Sequence, residues 1–234
     1  MVGRRDQPVN IRWSVAEIVY SLHDAGSEIL LVDDAFLHVV PELLATGATL
    51  RAVIYCGDGE APDGTVPYEE LIAGSDPVED LRVGDDTLAA VFYTGGTTGN
   101  PKGVMMSHRA DDVGVDLPGG RAVVPARRVV LIAAPMFHMA AVQGWVQQHL
   151  LGGAFVFLPT FDPLEVLQLI ERHRVSRITL VPTMLQRVLD HPDRASYDLS
   201  SVWTLGYGAS PISETLLERA LEAFPGTGIA RATA

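Results

Sequence analysis

Apolar positions follow helical and strand-like spacings in turn along the chain. The segment Ser14-Val-Ala-Glu has the form of a helix capping box, and the apolar residues after it recur at helical spacing as far as Gly26. Apolar runs at residues 28–32 and 50–55 predict buried strands, and residues 35–45 predict a helix between them. The chain therefore starts with a helix–strand–helix–strand pattern.

The same alternation continues through the rest of the sequence. Residues 56–67 are predicted to form a loop from their Gly, Asp and Pro content. Further strands are predicted at 87–93, 103–107, 129–133, 154–158, 178–181 and 202–205, and further helices at 139–151, 162–173, 182–189 and 211–223. The strands at 87–93 and 103–107 are expected to form a hairpin. Beyond them, alternation of this kind favours parallel strands with right-handed helical crossovers, which is an α/β fold.

The connection between the two hairpin strands carries the most informative chemistry. Residues 93–103 spell Tyr-Thr-Gly-Gly-Thr-Thr-Gly-Asn-Pro-Lys-Gly, and Lys102 is the only lysine in the chain. Glycines allow backbone N–H groups to approach phosphate oxygens, threonine hydroxyls add donors, and an ammonium group supplies a point charge. These residue types in this order favour a polyphosphate-binding loop, the alternative being a Gly-rich surface turn.

The order of residues excludes two other kinds of nucleotide-binding loop. A P-loop places a serine or threonine after its lysine to bind magnesium, whereas Gly103 follows Lys102 here. The loop also lacks the G-x-G-x-x-G pattern of dinucleotide-binding folds. The candidate is therefore an ATP loop of another kind.

Composition narrows the class of protein. A net charge of −12 and a pI near 4.9 argue against nucleic acid as the main partner. Cys56 is the only cysteine, so the chain has no internal disulfide, and we interpret it as a buried, inert thiol. Residues 1–10 are polar and no apolar run is long enough to span a bilayer. We expect a cytoplasmic protein without a transmembrane segment.

Four segments, taken in order, resemble the adenylate-forming superfamily, and within it most of all the fatty acyl-CoA ligases. They are residues 8–20, the loop and its second strand at 93–109, Pro-Met-Phe-His at 135–138, and Gly-Tyr-Gly-Ala-Ser-Pro at 206–211. The last segment resembles the family's turn whose backbone borders adenine. The resemblance implies part of the N-terminal domain of that fold, with mostly parallel sheets flanked by helices. Residues 1–86 would be a partial first subdomain, and 87–234 would carry the phosphate loop and the acyl and adenine pockets.

The resemblance also implies a reaction. A carboxylate would attack the α-phosphorus of ATP with Mg²⁺ to form an acyl-adenylate, and the thiol of CoA would then displace AMP. The phosphate-binding residues would be Thr94, Gly95, Gly96, Thr97, Thr98, Gly99 and Lys102, and the adenine-binding residues Gly206, Tyr207, Gly208 and Ala209. His138 would be the catalytic residue, near the carboxylate of the acid.

Each of these residues has a plainer interpretation. His138 precedes a predicted helix and could be a capping or packing residue, and Tyr207 could be a core aromatic. His108 and Arg109 are interpreted as structural. Residues 135–143 contain no aspartate to meet an amino acid's ammonium group, which favours an uncharged acyl chain. A ligase for aryl or amino acids remains an alternative.

The sequence also departs from the family pattern. Gly95 stands where the family usually has serine, and residues 110–125 are too rich in Gly, Pro and Asp for the helix expected there. The family's magnesium-binding glutamate, which follows in a Tyr-Gly-x-Thr-Glu motif, is not found, and residues 226–234 look scrambled. We therefore expect a truncated, aggregation-prone chain that does not complete adenylation alone. The rival hypothesis is a non-catalytic remnant that binds a nucleotide or a partner weakly.

Overall fold

The structure is a computed structural model that describes residues 5–79, 83–95, 99–109, 128–150, 152–208 and 210–232. It divides into two compact units, Met1–Ala110 and Asp111–Ala234. The division after residue 86 proposed from the sequence concerns family subdomains and remains a prediction. Both units contain parallel strands with flanking helices, which confirms the α/β class.

In the first unit, a three-stranded parallel sheet is packed against two helices. The elements are α1 (Val15–Ala25), β1 (Ile29–Val32), a 3₁₀ turn (Leu37–Val39), α2 (Val40–Ala45), β2 (Ala52–Tyr55), β3 (Val66–Pro67), α3 (Tyr68–Ala73), β4 (Leu88–Thr94) and β5 (Lys102–Ser107). Strands β1, β2 and β3 pair in that order. Helix α1 begins at the capping box predicted at Ser14 and ends at Gly26, which adopts a left-handed conformation with φ of 64°.

Only one side of the strand β1 is well covered. Val32 packs with Val40 of α2 and Val53 of β2 in the core, as the alternation of side chains along a strand requires. Leu31 points the other way and is 58% exposed. The first unit therefore has an apolar sheet face that its described residues leave partly open to solvent.

Strands β4 and β5 form a separate antiparallel hairpin, as predicted. The register pairs Thr94 with Lys102 and Tyr93 with Gly103, so the Gly-rich segment connects the two strand ends directly. An isolated bridge between Asp6 and Ala90 lies on the outer side of β4. The hairpin therefore holds both ends of the candidate phosphate loop in fixed register.

The second unit is a five-stranded parallel sheet between helical layers. Its elements are β6 (Val129–Ile132), α4 (Met139–Leu150), β7 (Ala154–Phe157), α5 (Pro163–His173), β8 (Arg177–Leu180), α6 (Pro182–Leu189), a 3₁₀ turn (Arg194–Ser196), β9 (Thr204–Gly208), α7 (Glu214–Ala223) and β10 (Gly228–Ala232). The strand order is β7-β6-β8-β9-β10. Helix α5 begins as predicted, with Asp162 as its cap and Pro163 in its first turn.

The two faces of this sheet are covered by different helices. Leu131 of β6 joins the fully buried core with Val166 and Ile170 of α5, Val188 of α6 and Ala220 of α7. On the opposite face, Val130 and Ile132 of β6 pack against Ala141 of α4. This arrangement follows from right-handed crossovers, because the chain moves one way from β6 to β7 and the other way afterwards.

Four predictions from the sequence need correction. Residues 66–67, the end of the predicted loop at 56–67, form the strand β3, and the helix α3 directly after them was not predicted. Residues 206–208 are not a turn but the end of β9, held between β8 and β10. Residues 228–232 are not scrambled but form the edge strand β10. Cys56 is exposed, since it lies one residue beyond β2 rather than within it.

Several large apolar side chains are exposed in both units, including Met105 (74%) and Phe157 (53%). The aggregation expected from the sequence remains a prediction. Among the described residues, no helix combines the length and the apolar character that crossing a membrane requires. The unusual segment at 110–125 lies outside the described residues.

Candidate functional site

The open end of the β4–β5 hairpin presents polar groups on a buried base. Val91, Phe92 and Tyr93 of β4 are buried, whereas Thr94 and Gly95 at the end of that strand are exposed. On the returning strand, Pro101 is buried and Lys102 is exposed. The buried apolar part of β4 therefore anchors the hairpin, whereas Val104 and Met105 of β5 are exposed, and the donors lie at the tip.

The two strand ends are joined by a side chain as well as by backbone pairing. The Thr94 hydroxyl donates to the carbonyl oxygen of Lys102 at 3.4 Å. Lys102 forms no ion pair with a carboxylate in the part of the chain that the structure describes. Its ammonium group is therefore available to an external anion.

The loop needs glycine at one described position for a conformational reason. Gly99 has φ of 138°, a value that side-chain-bearing residues rarely adopt, and a Cβ there would otherwise meet open space. Gly95 also has open space where a side chain would project. The remaining predicted loop residues, Gly96, Thr97 and Thr98, lie outside the described residues, so their contribution stays a prediction.

Acidic residues near the hairpin are neutralised at the end opposite the loop. The Arg109 guanidinium contacts Asp86 at 3.0 Å and Asp85 at 3.4 Å, and the Arg109 backbone N–H donates to the Asp85 carbonyl. The His108 N–H donates to the carbonyl of Thr87. These contacts support the structural interpretation of His108 and Arg109, which close the base of the hairpin rather than its tip.

Tyr93 fixes the hairpin to the rest of the first unit. Its hydroxyl donates to Asp24 of α1 at 2.6 Å, and its ring meets Trp13 edge-on at 6.0 Å. Burial, followed by the hydrogen bond to Asp24, raises the pKa of the Tyr93 phenol well above its usual range. Sequence reasoning did not single out Asp24, because the two residues are 69 positions apart and no local pattern links them.

A groove of about 1020 Å³ in the first unit lies apart from this chemistry. Its lining is largely apolar and includes Leu31, Ile54 and Val91, but neither Thr94 nor Lys102. Size alone would make it the default ligand site. The groove does contain cations, but Arg5 and Arg51 share it with Asp6, Glu28 and Asp33, and Arg51 is paired with Glu28 at 3.1 Å. We place the candidate phosphate site at the hairpin instead, because Lys102 there has no carboxylate partner among the described residues.

The second unit has its own candidate site, defined by strand order. The chain runs from β6 to β7 on one side and then from β8 outward on the other, so the order reverses between β6 and β8. In open parallel sheets, ligands bind at the carboxyl ends of the strands at such a reversal. The residues that follow β6, 133–138, therefore lie at the favoured position in this sheet.

His138 occupies the end of that segment. It lies immediately before α4, its backbone N–H donates to the Pro135 carbonyl at 3.0 Å, and its own carbonyl accepts from Ala141 and Val142. The imidazole is exposed and lies 4.5 Å from the buried Phe137 ring. His138 thus has the backbone role of a helix cap, as the plainer interpretation expects, while its side chain faces outward at the strand ends.

Gly206, Tyr207 and Gly208 occupy the carboxyl-terminal half of β9. Gly206 is buried opposite Thr179 of β8, and a Cβ at Gly206 would lie 2.7 Å from the Thr179 hydroxyl oxygen. Tyr207 is half-buried and Gly208 is buried at the strand end. Ala209 lies outside the described residues. The glycine at 206 is thus explained by packing against Thr179, and contact with a base remains a prediction.

No metal centre can be assembled from the described residues. In the ranges 5–79, 83–95, 99–109, 128–150, 152–208 and 210–232, no three His, Cys, Asp or Glu side chains lie close enough together to hold an ion. Magnesium that accompanies ATP is held mainly by phosphate oxygens and water, with one or two protein carboxylates. We therefore assign no magnesium ligand and derive no step through that ion.

The sequence matches a known family over nearly its whole length. The profile of the AMP-binding enzyme family matches residues 1–232. A feruloyl-CoA synthase from an Amycolatopsis species is 35% identical over 221 residues, which are 92% of this chain and 41% of that protein. A medium/long-chain-fatty-acid–CoA ligase, FadD8 of Mycobacterium tuberculosis, is 32% identical over 95% of this chain and 40% of its own length. The chain thus spans about two fifths of these relatives.

Solved structures show the same fold. The anthranilate CoA ligase AuaEII, in complex with anthranoyl-AMP, aligns with a TM-score of 0.85 over 98% of this chain and 45% of its own, at 21% identity. The inhibitor-bound N-terminal domain of FACL13 from Mycobacterium tuberculosis aligns with a TM-score of 0.81 over 97% of this chain and 56% of its own, at 24% identity. These alignments confirm the predicted fold, which is part of the N-terminal domain of adenylate-forming enzymes.

Proposed function

The chain belongs to the AMP-binding enzyme family, and from that membership we propose that it binds ATP for the activation of a carboxylic acid. In the proposed reaction, a carboxylate oxygen attacks the α-phosphorus of ATP and pyrophosphate leaves, giving an acyl-adenylate. The sulfur of a thiol, CoA in this proposal, then attacks the acyl carbon and AMP leaves. The observation that carries the proposal is the β4–β5 hairpin with Lys102 at its tip.

The hairpin suits the leaving pyrophosphate for electrostatic reasons. Charge accumulates on the β- and γ-phosphates as the bond to the α-phosphorus breaks, so donors fixed in advance lower the barrier. Lys102 and Thr94 are exposed at the tip, where Thr94 follows the buried residues of β4 and Lys102 follows the buried Pro101. We propose that they hold these phosphates together with Gly95, Gly96, Thr97, Thr98 and Gly99.

Two segments of the second unit carry further proposed contacts. We propose that Gly206, Tyr207, Gly208 and Ala209 border adenine, and that His138 contacts the carboxylate of the acid. The location of His138 at the strand-order reversal supports a ligand contact there. Its exposed imidazole could orient the nucleophilic oxygen, which requires position more than proton transfer because a carboxylate already carries the charge.

Two classes of carboxylic acid are candidates for the substrate. The absence of aspartate from 135–143 favours an uncharged acid over an amino acid, and the relatives include a ligase named for medium- and long-chain fatty acids. The relatives also include a synthase named for the aryl acid ferulate, at 35% identity. We propose a fatty acid as the first candidate and an aryl acid as the second.

A different class of function is nucleotide binding without catalysis. It rests on the same hairpin, since Thr94 and Lys102 can bind phosphate whether or not an acid is activated. ATP–pyrophosphate exchange with panels of fatty and aryl acids separates the two functions. Exchange that depends on one acid supports the ligase and identifies its class, whereas ATP binding without exchange supports the binding protein.

Substitution of Lys102 tests the site itself. The change Lys102→Met should weaken binding of MgATP and of pyrophosphate by about tenfold or more, because a charge-assisted contact contributes ~1.5–3 kcal/mol. Arg172→Met is the matched control, since Arg172 is an exposed cation on α5 without an ion pair to any described residue, and its loss changes the net charge equally. Calorimetric titration that gives equal affinities for wild type and Lys102→Met would reject the proposed phosphate site.

The cellular setting is part of the proposal. We propose a cytoplasmic protein with ATP, a carboxylic acid and CoA as its partners and without a nucleic-acid partner. The acidic pI supports the last point, because an acidic surface repels phosphate backbones. Fractionation of the source cells with an antibody against the chain would test the location.

A further inference from the structure

Tyr93 lies between the phosphate hairpin and helix α1. Its side chain is only 8% exposed, and its hydroxyl donates to Asp24 Oδ2 at 2.6 Å. The edge of one ring meets the face of the other in its contact with Trp13, with an interplanar angle of 81°. The residue is thus held at its ring and at its hydroxyl by two parts of the first unit that precede the hairpin in sequence.

The same ring also contacts the returning strand of the hairpin. A Cβ at Gly103 would lie 2.9 Å from Val91 Cγ1, 3.1 Å from Tyr93 Cζ and 3.3 Å from Tyr93 Cε1, closer than side-chain packing normally allows. Gly103 is the cross-strand partner of Tyr93 and directly follows Lys102. The glycine therefore leaves room for the ring to lie across β5 beside the lysine.

These contacts connect both ends of the loop to the Tyr93 side chain. Thr94 follows Tyr93 on one strand, and Lys102 precedes Gly103 on the other, so movement of the ring would displace both flanks of the loop. Binding is stronger when the binding groups are ordered beforehand, because less conformational entropy is lost on association. The bond from Tyr93 to Asp24 supplies such order from outside the hairpin.

We propose that Tyr93 is a positioning residue for phosphate binding, tethered through Asp24 so that helix α1 sets the location of Thr94 and Lys102. The inference rests on the proposed function, since it concerns affinity for the same phosphates. Its competitor is a purely structural role, in which loss of the hydroxyl lowers the stability of the first unit and leaves affinity unchanged.

Another tyrosine of the first unit provides a matched control that tests for a purely structural role. Tyr55 of β2 donates its hydroxyl to Asp34, so it forms a second tyrosine–aspartate bond in the first unit, on the three-stranded sheet rather than the hairpin. Tyr55→Phe and Tyr93→Phe remove the same group from the same kind of partner. A general loss of stability would affect the two variants alike, whereas loss of positioning would affect Tyr93→Phe alone.

The experiment measures MgATP and pyrophosphate affinity by calorimetry and stability by thermal unfolding, on the full chain and its variants. We expect Tyr93→Phe and Asp24→Ala each to weaken binding by about three- to tenfold, with the double variant no weaker than either single one. Asp24→Asn retains an acceptor oxygen and should stay within about twofold of wild type. Tyr55→Phe should bind like wild type even where its unfolding temperature falls.

The outcomes separate this inference from the function on which it rests. Equal affinity for wild type, Tyr93→Phe and Asp24→Ala, together with weaker binding by Lys102→Met, overturns the positioning role alone. Additive losses in the double variant, or an equal loss in Tyr55→Phe, overturn it as well. If the wild-type chain binds neither MgATP nor pyrophosphate, the proposed function and the inference both fail.

Discussion

The close approach of Thr179 to Gly206 allows one stability prediction to be worked in detail. The two residues are direct partners on β8 and β9, and Gly206 is buried. A Cβ at position 206 would lie 2.7 Å from Thr179 Oγ1 and 3.3 Å from its Cγ2. Gly206→Ala therefore forces either the threonine side chain or the strand to move.

The magnitude is the difference between two effects. Overpacking of a well-filled site costs ~1–3 kcal/mol. Replacing glycine by alanine within a strand recovers ~0.5–1 kcal/mol, because glycine loses more conformational freedom on folding. The variant should thus lose about 1–2 kcal/mol of the free energy of unfolding, which corresponds to a fall in melting temperature of roughly 2–8 °C for a chain of this size.

Urea unfolding followed by circular dichroism measures this loss, and two further variants test its cause. Thr179→Ala removes the two atoms that the new methyl group meets, so the double variant should be more stable than the sum of the single effects predicts. Gly144→Ala is the control. Gly144 lies within α4, and a Cβ there would meet Ile132 at an ordinary 3.6 Å, so this substitution should raise the free energy of unfolding by up to ~1 kcal/mol. Equal effects of Gly206→Ala and Gly144→Ala, or strict additivity with Thr179→Ala, would refute the packing argument.

Three shorter predictions concern the first unit. Because folding raises the pKa of Tyr93, the tyrosine stabilises the folded state fully below pH 10, and this contribution is lost as pH rises above that value. The urea midpoints measured at pH 9 and at pH 11 should therefore differ more for wild type than for Tyr93→Phe. Cys56 should react with a thiol reagent in the native protein because it is exposed, but slowly at neutral pH, since partial burial raises its pKa; labelling only after denaturation would contradict this. Ser14→Ala removes the cap of α1 and should cost about 1 kcal/mol in urea unfolding, whereas a change below ~0.3 kcal/mol would argue against the capping box.

Elements set by nearby residues could be predicted from the sequence. The capping box at Ser14 and the cap at Asp162 depend on residues three positions apart, and the hairpin pairs residues from 8 positions apart at its tip (Thr94 with Lys102) to 19 at its base (Leu88 with Ser107). The missed helix α3 also carried local signals, with Pro67 before it, two glutamates in its first turn and Gly74 after it. It was overlooked because it has only six residues and follows a segment with strong turn signals.

Elements set by distant partners could not be predicted in this way. Strand β9 was expected to end at Leu205, since Gly-Tyr-Gly looks like a turn when considered alone. Its final residues remain extended because β8 and β10 hydrogen-bond to them on both sides. Strand β10, which begins with Gly228, is extended for the same reason, with β9 as its partner. Pairing across the sheet outweighs the low strand propensity of glycine in both strands.

The two candidate sites differ in the same respect, which explains why one was easier to predict. The phosphate hairpin is defined by its own eleven residues, so their order alone suggested the chemistry of Thr94 and Lys102. The surroundings of His138 depend on the placement of β6 beside both β7 and β8, and no pattern in the sequence shows that the strand order reverses there. The hydrogen bond from Tyr93 to Asp24 likewise depends on the fold, because its partners are 69 positions apart in the sequence. A glycine-rich loop can therefore be recognised from sequence, whereas what holds it in position has to be found in the fold.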